Sequence, residues 1–243
     1  KPAAPPPAAH AYPDANGKGV VVFDIETTDL IDDDTEVADM RVSVACAVHL
    51  HPARAGKEAW EERREQTFWH EDVTRAPTGG GAEKVGDLLT WFDDASYIVA
   101  YNGRRFDMEV LRQYYPKRED GADDDERWQA HVRKLIDPME AVQRATGRRL
   151  KLGTVLKHNA MRQKGGNGSD APEMWRQGRW AQLEVYCMND VHALAEIVMR
   201  PQLRLPQHAT TAEAYVGEAL RAEAAAEDGD EESHGNGKRR ISY

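Results

Sequence analysis

Three stretches near the start of the chain combine β-branched and aromatic residues in short runs. They read VVVFDIE (20–26), RVSVACAVHL (41–50) and QTFWH (66–70). Acidic or Gly/Pro-containing segments separate them, which is typical of strands joined by turns. The pattern predicts three successive strands that pair as an antiparallel meander.

Helical spacing first appears after residue 81 and then alternates with short apolar runs. Apolar residues at 85, 88, 89 and 92 predict a helix within residues 82–95. The elements predicted after it are a buried strand YIVAYN (97–102), a helix RFDMEVLRQYY (105–115) stopped by Pro116 and a strand KLID (134–137) stopped by Pro138. The rest is helical and ends in a long helix over residues 180–199.

This order of elements predicts an α/β fold in which a mixed sheet, beginning with the three-stranded meander, is flanked by helices. The order resembles the ribonuclease H-like arrangement. Residues 1–17 are rich in Pro and Ala and are expected to form a flexible tail. Residues 204–243 carry too little apolar content to offset the entropy of ordering, so they are expected to form an acidic, disordered tail. The folded domain is therefore predicted to span residues 18–203.

The charge of the chain is unevenly distributed. A net charge of −10 argues by itself against a nucleic-acid partner, because phosphate binding needs Lys and Arg. The acidic residues, however, cluster in 29–39, 119–126 and 218–232, whereas residues 140–182 carry nine basic and three acidic residues. This basic segment is either an ordinary solvated face or a phosphate-binding surface, and its position relative to a catalytic site decides between the two.

Other composition features narrow the class of protein. The two cysteines, Cys46 and Cys187, form no CxxC pair, which leaves any metal to oxygen ligands. The sequence shows no run of 18 apolar residues and no signal-peptide pattern. We therefore expect an intracellular, soluble protein of the cytoplasm or nucleus, with no membrane partner.

Two carboxylates stand one residue apart at the end of the first predicted strand. Because strand side chains alternate between faces, Asp24 and Glu26 point to one side and Ile25 to the other. Neighbouring carboxylates repel each other unless cations lie between them, and hard divalent metals prefer such oxygens. The pair is either a metal site or a strand end that emerges into solvent.

Two further acids, Asp107 and Asp190, occur at positions from which they could join a functional site. Asp107 follows the strand YIVAYN and lies in the first turn of the next helix, where it is either a functional acid or a partner of the helix dipole. Asp190 lies four residues after Tyr186, so the two share one face of the last helix. The alternative for that pair is an amphipathic helix with a hydroxyl at its rim.

The ordered set resembles the DEDD superfamily of 3′–5′ exonucleases, in its Tyr-containing branch. FDIET matches the first motif of that family, N-x3-F-D (Asn102 to Asp107) the second and Y-x3-D (Tyr186 to Asp190) the third. The resemblance covers roughly residues 20–200. Among relatives, the chain looks similar to stand-alone domains akin to the proofreading domains of B-family DNA polymerases.

The resemblance implies a set of catalytic residues. Asp24, Glu26, Asp107 and Asp190 would hold two Mg²⁺ or Mn²⁺ ions, with Asp24 bridging them, and Tyr186 would orient the attacking water. The other branch of the superfamily has a His five residues before the last Asp, and that position here is Val185. His192 lies past the motif and is interpreted as incidental.

Substrate contacts are also implied. Thr27 belongs to the first motif, Leu30 matches an apolar wedge against the terminal base, and Asn102 and Phe106 belong to the second motif. The basic segment borders the substrate cleft in this family, so Lys151, Lys157, Arg162 and Lys164 are expected to meet the phosphate backbone of a single strand. For any one of these bases, a solvated helix face is the alternative.

The sequence therefore predicts a hydrolase that removes nucleotides from the 3′ end of single-stranded nucleic acid, with DNA preferred over RNA. Two Mg²⁺ or Mn²⁺ ions are its expected cofactors. A second hypothesis with the same chemistry is a proofreading or processing subunit whose terminal tails recruit protein partners. The alternative is a catalytically silent nucleic-acid-binding or scaffold module with the same fold.

Overall fold

A computed structural model describes most of the folded part of the chain. The described residues are 18–30, 36–52, 60–77, 79, 81–116, 125–161, 170–200, 203–206 and 211–214. The predicted tail 1–17 and most of the tail 204–243 lie outside this description, as do Arg162 and Lys164.

The described residues form eight strands and seven α-helices, with three short 3-10 turns. The strands are β1 (Val20–Thr27), β2 (Val42–Pro52), β3 (Trp60–Trp69), β4 (Glu83–Lys84), β5 (Tyr97–Val99), β6 (Leu135–Ile136), β7 (Leu203–Pro206) and β8 (Thr211–Ala214). The helices are α1 (Leu88–Asp93), α2 (Asp107–Leu111), α3 (Asp125–Lys134), α4 (Pro138–Thr146), α5 (Leu152–His158), α6 (Asp170–Arg176) and α7 (Trp180–Met199).

Six strands form one mixed sheet in the order β4-β3-β2-β1-β5-β6, and β7 and β8 form a separate hairpin. β1 and β3 both pair with β2 in the antiparallel sense, whereas β5 is parallel to β1 and to β6. The predicted α/β fold, with a mixed sheet that begins with an antiparallel meander, is confirmed.

Helices cover both faces of the sheet and create two apolar cores. One face packs against α4 to α7 and β7, with Val22, Val48 and Leu194 among its buried members. The other face packs against α1, α2 and α3, with Phe23, Phe92 and Trp128 among its buried members. Alternate residues of β1 enter the two cores, as the period of a strand requires.

Several short elements differ from the prediction. The helix predicted over 82–95 begins only at Leu88, after β4 and a 3-10 turn. α3 was not predicted, because it begins within the acidic run at 119–126. The predicted domain end at residue 203 falls on the first residue of β7, whose Leu203 and Leu205 are buried in the core beside α7. Two alternating leucines are too weak a pattern to indicate a strand without their packing partners.

Among the helices described here, none is long and apolar enough to cross a membrane.

Candidate metal centre

Strand β1 carries Asp24 and Glu26 on the face that packs against α7. Val20 and Val22, on the same side of β1, belong to the core beneath that helix, while Ile25 points into the opposite core. The register with β2 pairs Asp24 with Cys46 and Glu26 with Val44, and a β-bulge follows Glu26. The predicted shared orientation of the two acids is confirmed.

The end of β1 that carries Asp24 and Glu26 extends beyond β5, the second neighbour of β1 in the sheet. β5 pairs with Val20, Val21 and Val22 only, and the chain then leaves the sheet in a turn over residues 101–106. β1, β5 and β6 are parallel, so the segments that follow them lie at the same edge of the sheet. β5 does not pair with Asp24 or Glu26, and the second motif begins at this edge of the sheet.

Helix α7 completes a cluster of three carboxylates. One oxygen from each of Asp24, Glu26 and Asp190 can be chosen so that all three lie within 4.8 Å of one another. Asp190 is buried, and the two acids of β1 are less enclosed. The third motif of the sequence therefore meets the first in space.

Asp107 lies outside this close group. It is 3% exposed and begins α2, whose Met108, Val110 and Leu111 are buried in the core on the opposite face of the sheet. Its assignment as a fourth metal ligand stays a prediction.

Tyr186 lies one helical turn before Asp190 and faces the same carboxylates. Burial raises the pKa of its hydroxyl far above the ordinary value, and the charges of Glu26, Asp190 and Asp24 raise it further. The hydroxyl oxygen is buried and makes no hydrogen bond within the described part of the chain. Tyr186 therefore stays neutral and keeps both a donor and an acceptor position.

The carboxylate cluster fits a divalent cation. Three converging carboxylates repel one another, and a cation between them removes that repulsion. An all-oxygen donor set suits Mg²⁺ or Mn²⁺ rather than a softer metal. Asp24, Glu26 and Asp190 are the residues that would hold it.

The predicted substrate-binding residues lie in different surroundings. Thr27 is buried, and its hydroxyl donates to the carbonyl of Asp29 at 2.7 Å. Leu30 is 51% exposed beyond the end of β1, and Phe106 packs partly against the core under α2. Lys157 is exposed on α5. Their contacts with substrate stay predictions.

Asn102 is held more tightly than the sequence indicated. Its backbone has a φ of 66°, in the left-handed region. Its N–H donates to Oδ1 of Asp137 at 2.9 Å, and its side-chain oxygen accepts from the guanidinium of Arg149. This role of Asp137 was not predicted from the sequence, although an Asp directly before Pro138 is a recognisable start of a helix.

A separate cavity of about 610 Å³ lies between α7 and β3. Its lining includes Glu65, Glu83 and Glu184, and also Val185 and His192. Nε2 of His192 lies 2.9 Å from a carboxylate oxygen of Glu65. Carboxylates repel phosphate, so this cavity is a poor site for nucleic acid. Val185, the position of the His in the other branch, lines it and is 60% exposed.

A family profile described as the RNase H superfamily matches residues 21–200. The match covers most of the chain, so the chain belongs to the RNase H superfamily, in agreement with the mixed sheet and its flanking helices. Among curated proteins, none matches.

Solved structures of exonuclease I are similar to this chain at low identity. A structure of exonuclease I described in terms of its processivity is 15% identical, with a TM-score of 0.45, over 74% of this chain and 40% of that one. E. coli exonuclease I in complex with a dT13 oligonucleotide is 16% identical, with a TM-score of 0.44, over 74% of this chain and 40% of that one. Exonuclease I from Methylocaldum szegediense is 14% identical, with a TM-score of 0.35, over 79% and 48% of the two chains. The chain thus spans less than half the length of these proteins, and likenesses this weak carry no argument about its activity.

Proposed function

We propose that this chain is a divalent-metal-dependent 3′–5′ exonuclease of the Tyr-containing DEDD branch, which hydrolyses phosphodiester bonds at the 3′ end of single-stranded nucleic acid. DNA is the preferred substrate and RNA the alternative. The 3′ polarity and the DNA preference rest on the motif resemblance.

One observation carries the proposal: Asp24, Glu26 and Asp190 converge beside the buried hydroxyl of Tyr186. The three acids come from a strand and a helix far apart in sequence, and β5 does not pair with the part of β1 that carries two of them. A cation bound between clustered carboxylates stabilises them, whereas acids at an ordinary strand end would spread into solvent.

The residues have distinct roles in this proposal. Asp24, Glu26 and Asp190 hold the cation, and Asp107 joins them as the fourth ligand. When bound, divalent ions at such a site stabilise the charge that develops at phosphorus and make water a better nucleophile. Tyr186 stays neutral in its buried position and orients the attacking water through its hydroxyl.

The test is the degradation of a single strand labelled at either end, in Mg²⁺, Mn²⁺ or EDTA. We expect stepwise shortening from the 3′ end with either metal and none in EDTA. Asp24→Asn removes one charge at nearly constant volume and should abolish shortening.

Asp39→Asn is the matched control, because Asp39 is an exposed acid in a 3-10 turn outside the cluster. It should retain wild-type activity. Shortening that survives EDTA or Asp24→Asn would overturn the mechanism. Strand binding without any shortening would favour the catalytically silent binding module instead.

A further inference from the structure

Asp137 is a buried carboxylate that immobilises the start of the second motif. It is 2% exposed and follows β6, next to β5 in the sheet. Its Oδ1 accepts from the backbone N–H of Met139, as a cap of α4, and from that of Asn102. One buried side chain therefore fixes both the helix start and the left-handed backbone of Asn102.

Tyr101 and Asn102, in the turn that follows β5, each hydrogen-bond to a residue of the loop before α5. Tyr101 donates its hydroxyl to the carbonyl of Leu150 at 2.6 Å, and the side-chain oxygen of Asn102 accepts from the guanidinium of Arg149. Nε of Arg149 also lies 3.2 Å from the sulfur of Met139. Arg149 is thus anchored at two points although it is exposed.

The surroundings of Arg149 are basic. Residues 141–161 contain five Lys and Arg residues and no acid, and all five bases are exposed. Asn102 lies in the turn of residues 101–106 that leads to Asp107, at the sheet edge next to the end of β1 that carries Asp24 and Glu26. A guanidinium has five N–H donors, so two anchoring contacts leave others for a ligand.

We propose that Arg149 is a phosphate-binding residue for the single strand, held in place by Asn102 and, through it, by Asp137. This inference rests on the proposed function for the identity of the strand. Asn102, expected to contact substrate itself, has its side-chain oxygen engaged by Arg149 and therefore acts as a positioning residue. A preorganised guanidinium loses less side-chain entropy on binding a phosphate than a freely moving one.

The test is the salt dependence of binding, measured by anisotropy of a short fluorescent oligothymidylate in EDTA. Loss of one phosphate contact to a single strand should reduce the slope of log K against log salt by about 0.7. We expect that reduction for Arg149→Ala. Arg133→Ala is the matched control, because Arg133 is an exposed base on α3, which covers the opposite face of the sheet.

Two further variants separate a charge contact from a structural role. Arg149→Lys keeps the charge and should keep the slope while weakening binding. Asn102→Gly should behave in the same way, because Arg149 stays charged but loses one of its two anchors, while Gly tolerates the left-handed backbone. A slope for Arg149→Ala equal to those of the wild type and Arg133→Ala would overturn the inference, even if the wild type degrades the strand. A reduced slope in a protein that degrades nothing would uphold the phosphate contact and refute the exonuclease.

Discussion

The thiol of Cys187 donates to the backbone carbonyl of Asp24 across 3.5 Å, joining α7 to β1 at the metal centre. Cys187 is fully buried on α7, where it directly follows Tyr186 and precedes Asp190 by three residues. Burial raises the pKa of its thiol, and its hydrogen bond with Cys46 raises it further, so the thiol remains protonated and can donate. This contact aligns the third motif with the first.

Cys187→Ala should loosen that alignment. Removing one buried heavy atom is expected to cost about 1 kcal/mol of unfolding free energy. The affinity for Mn²⁺ should also fall, which calorimetric titration can measure. Ile197→Val is the control, because it also removes one buried heavy atom from α7, ten residues beyond Cys187. Wild-type Mn²⁺ affinity in both variants would contradict the aligning role.

Tyr186→Phe should have opposite effects on stability and turnover. The hydroxyl is buried without a hydrogen bond in the described part of the chain, so its removal should raise the unfolding free energy in EDTA by up to about 1 kcal/mol. Loss of water orientation should lower turnover on the order of a hundredfold, with Mn²⁺ affinity retained. Urea unfolding and single-turnover kinetics measure the two effects. Unchanged turnover would remove Tyr186 from the mechanism.

Gly103→Ala should disturb the second motif. A Cβ at residue 103 would lie 2.4 Å from Cβ of Ala100, and the carbonyl of Gly103 accepts from Met108, the residue after Asp107. We expect a loss of about 1–3 kcal/mol of unfolding free energy and a shift of Asp107 that lowers activity. At Gly86 an added Cβ meets nothing within 4 Å, so Gly86→Ala should change stability by less than about 0.5 kcal/mol. Equal effects from the two substitutions would argue against the steric explanation.

His131 should make stability depend on pH. Burial lowers its pKa, although the neighbouring Asp93 acts in the opposite direction. Its Nδ1 lies 2.7 Å from the hydroxyl of Tyr115 and its Nε2 2.8 Å from Asp93, which suits a neutral ring that accepts from the former and donates to the latter.

The unfolded chain takes up a proton at His131 as the pH falls through its ordinary value of about 6.5, before the folded chain does. The stabilising contribution is therefore present above that pH and is lost as the pH falls through the lower folded value. Urea unfolding at pH 7 and pH 5.5 should show a larger drop for the wild type than for His131→Gln. The same drop in both proteins would exclude His131 as its source.

The structure confirms the sequence predictions that depend on local periodicity. Alternation along β1 places Asp24 and Glu26 on one face, and the helix predicted over 180–199 matches α7. The four-residue spacing places Tyr186 beside Asp190. These features follow from the side-chain periodicity of a strand or a helix. That periodicity can be recognised from the residues of each segment alone.

Contacts between segments distant in sequence could be identified only from the tertiary structure. The hydrogen bonds from Asn102 to Asp137, from Arg149 to Asn102 and from Cys187 to Asp24 each join residues at least 35 positions apart. β4 and the β7-β8 hairpin escaped prediction, because elements this short owe their stability to packing against the rest of the fold rather than to their own pattern. The sequence by itself determined which acids share a face; only the packing of α7 over β1 decided that they meet.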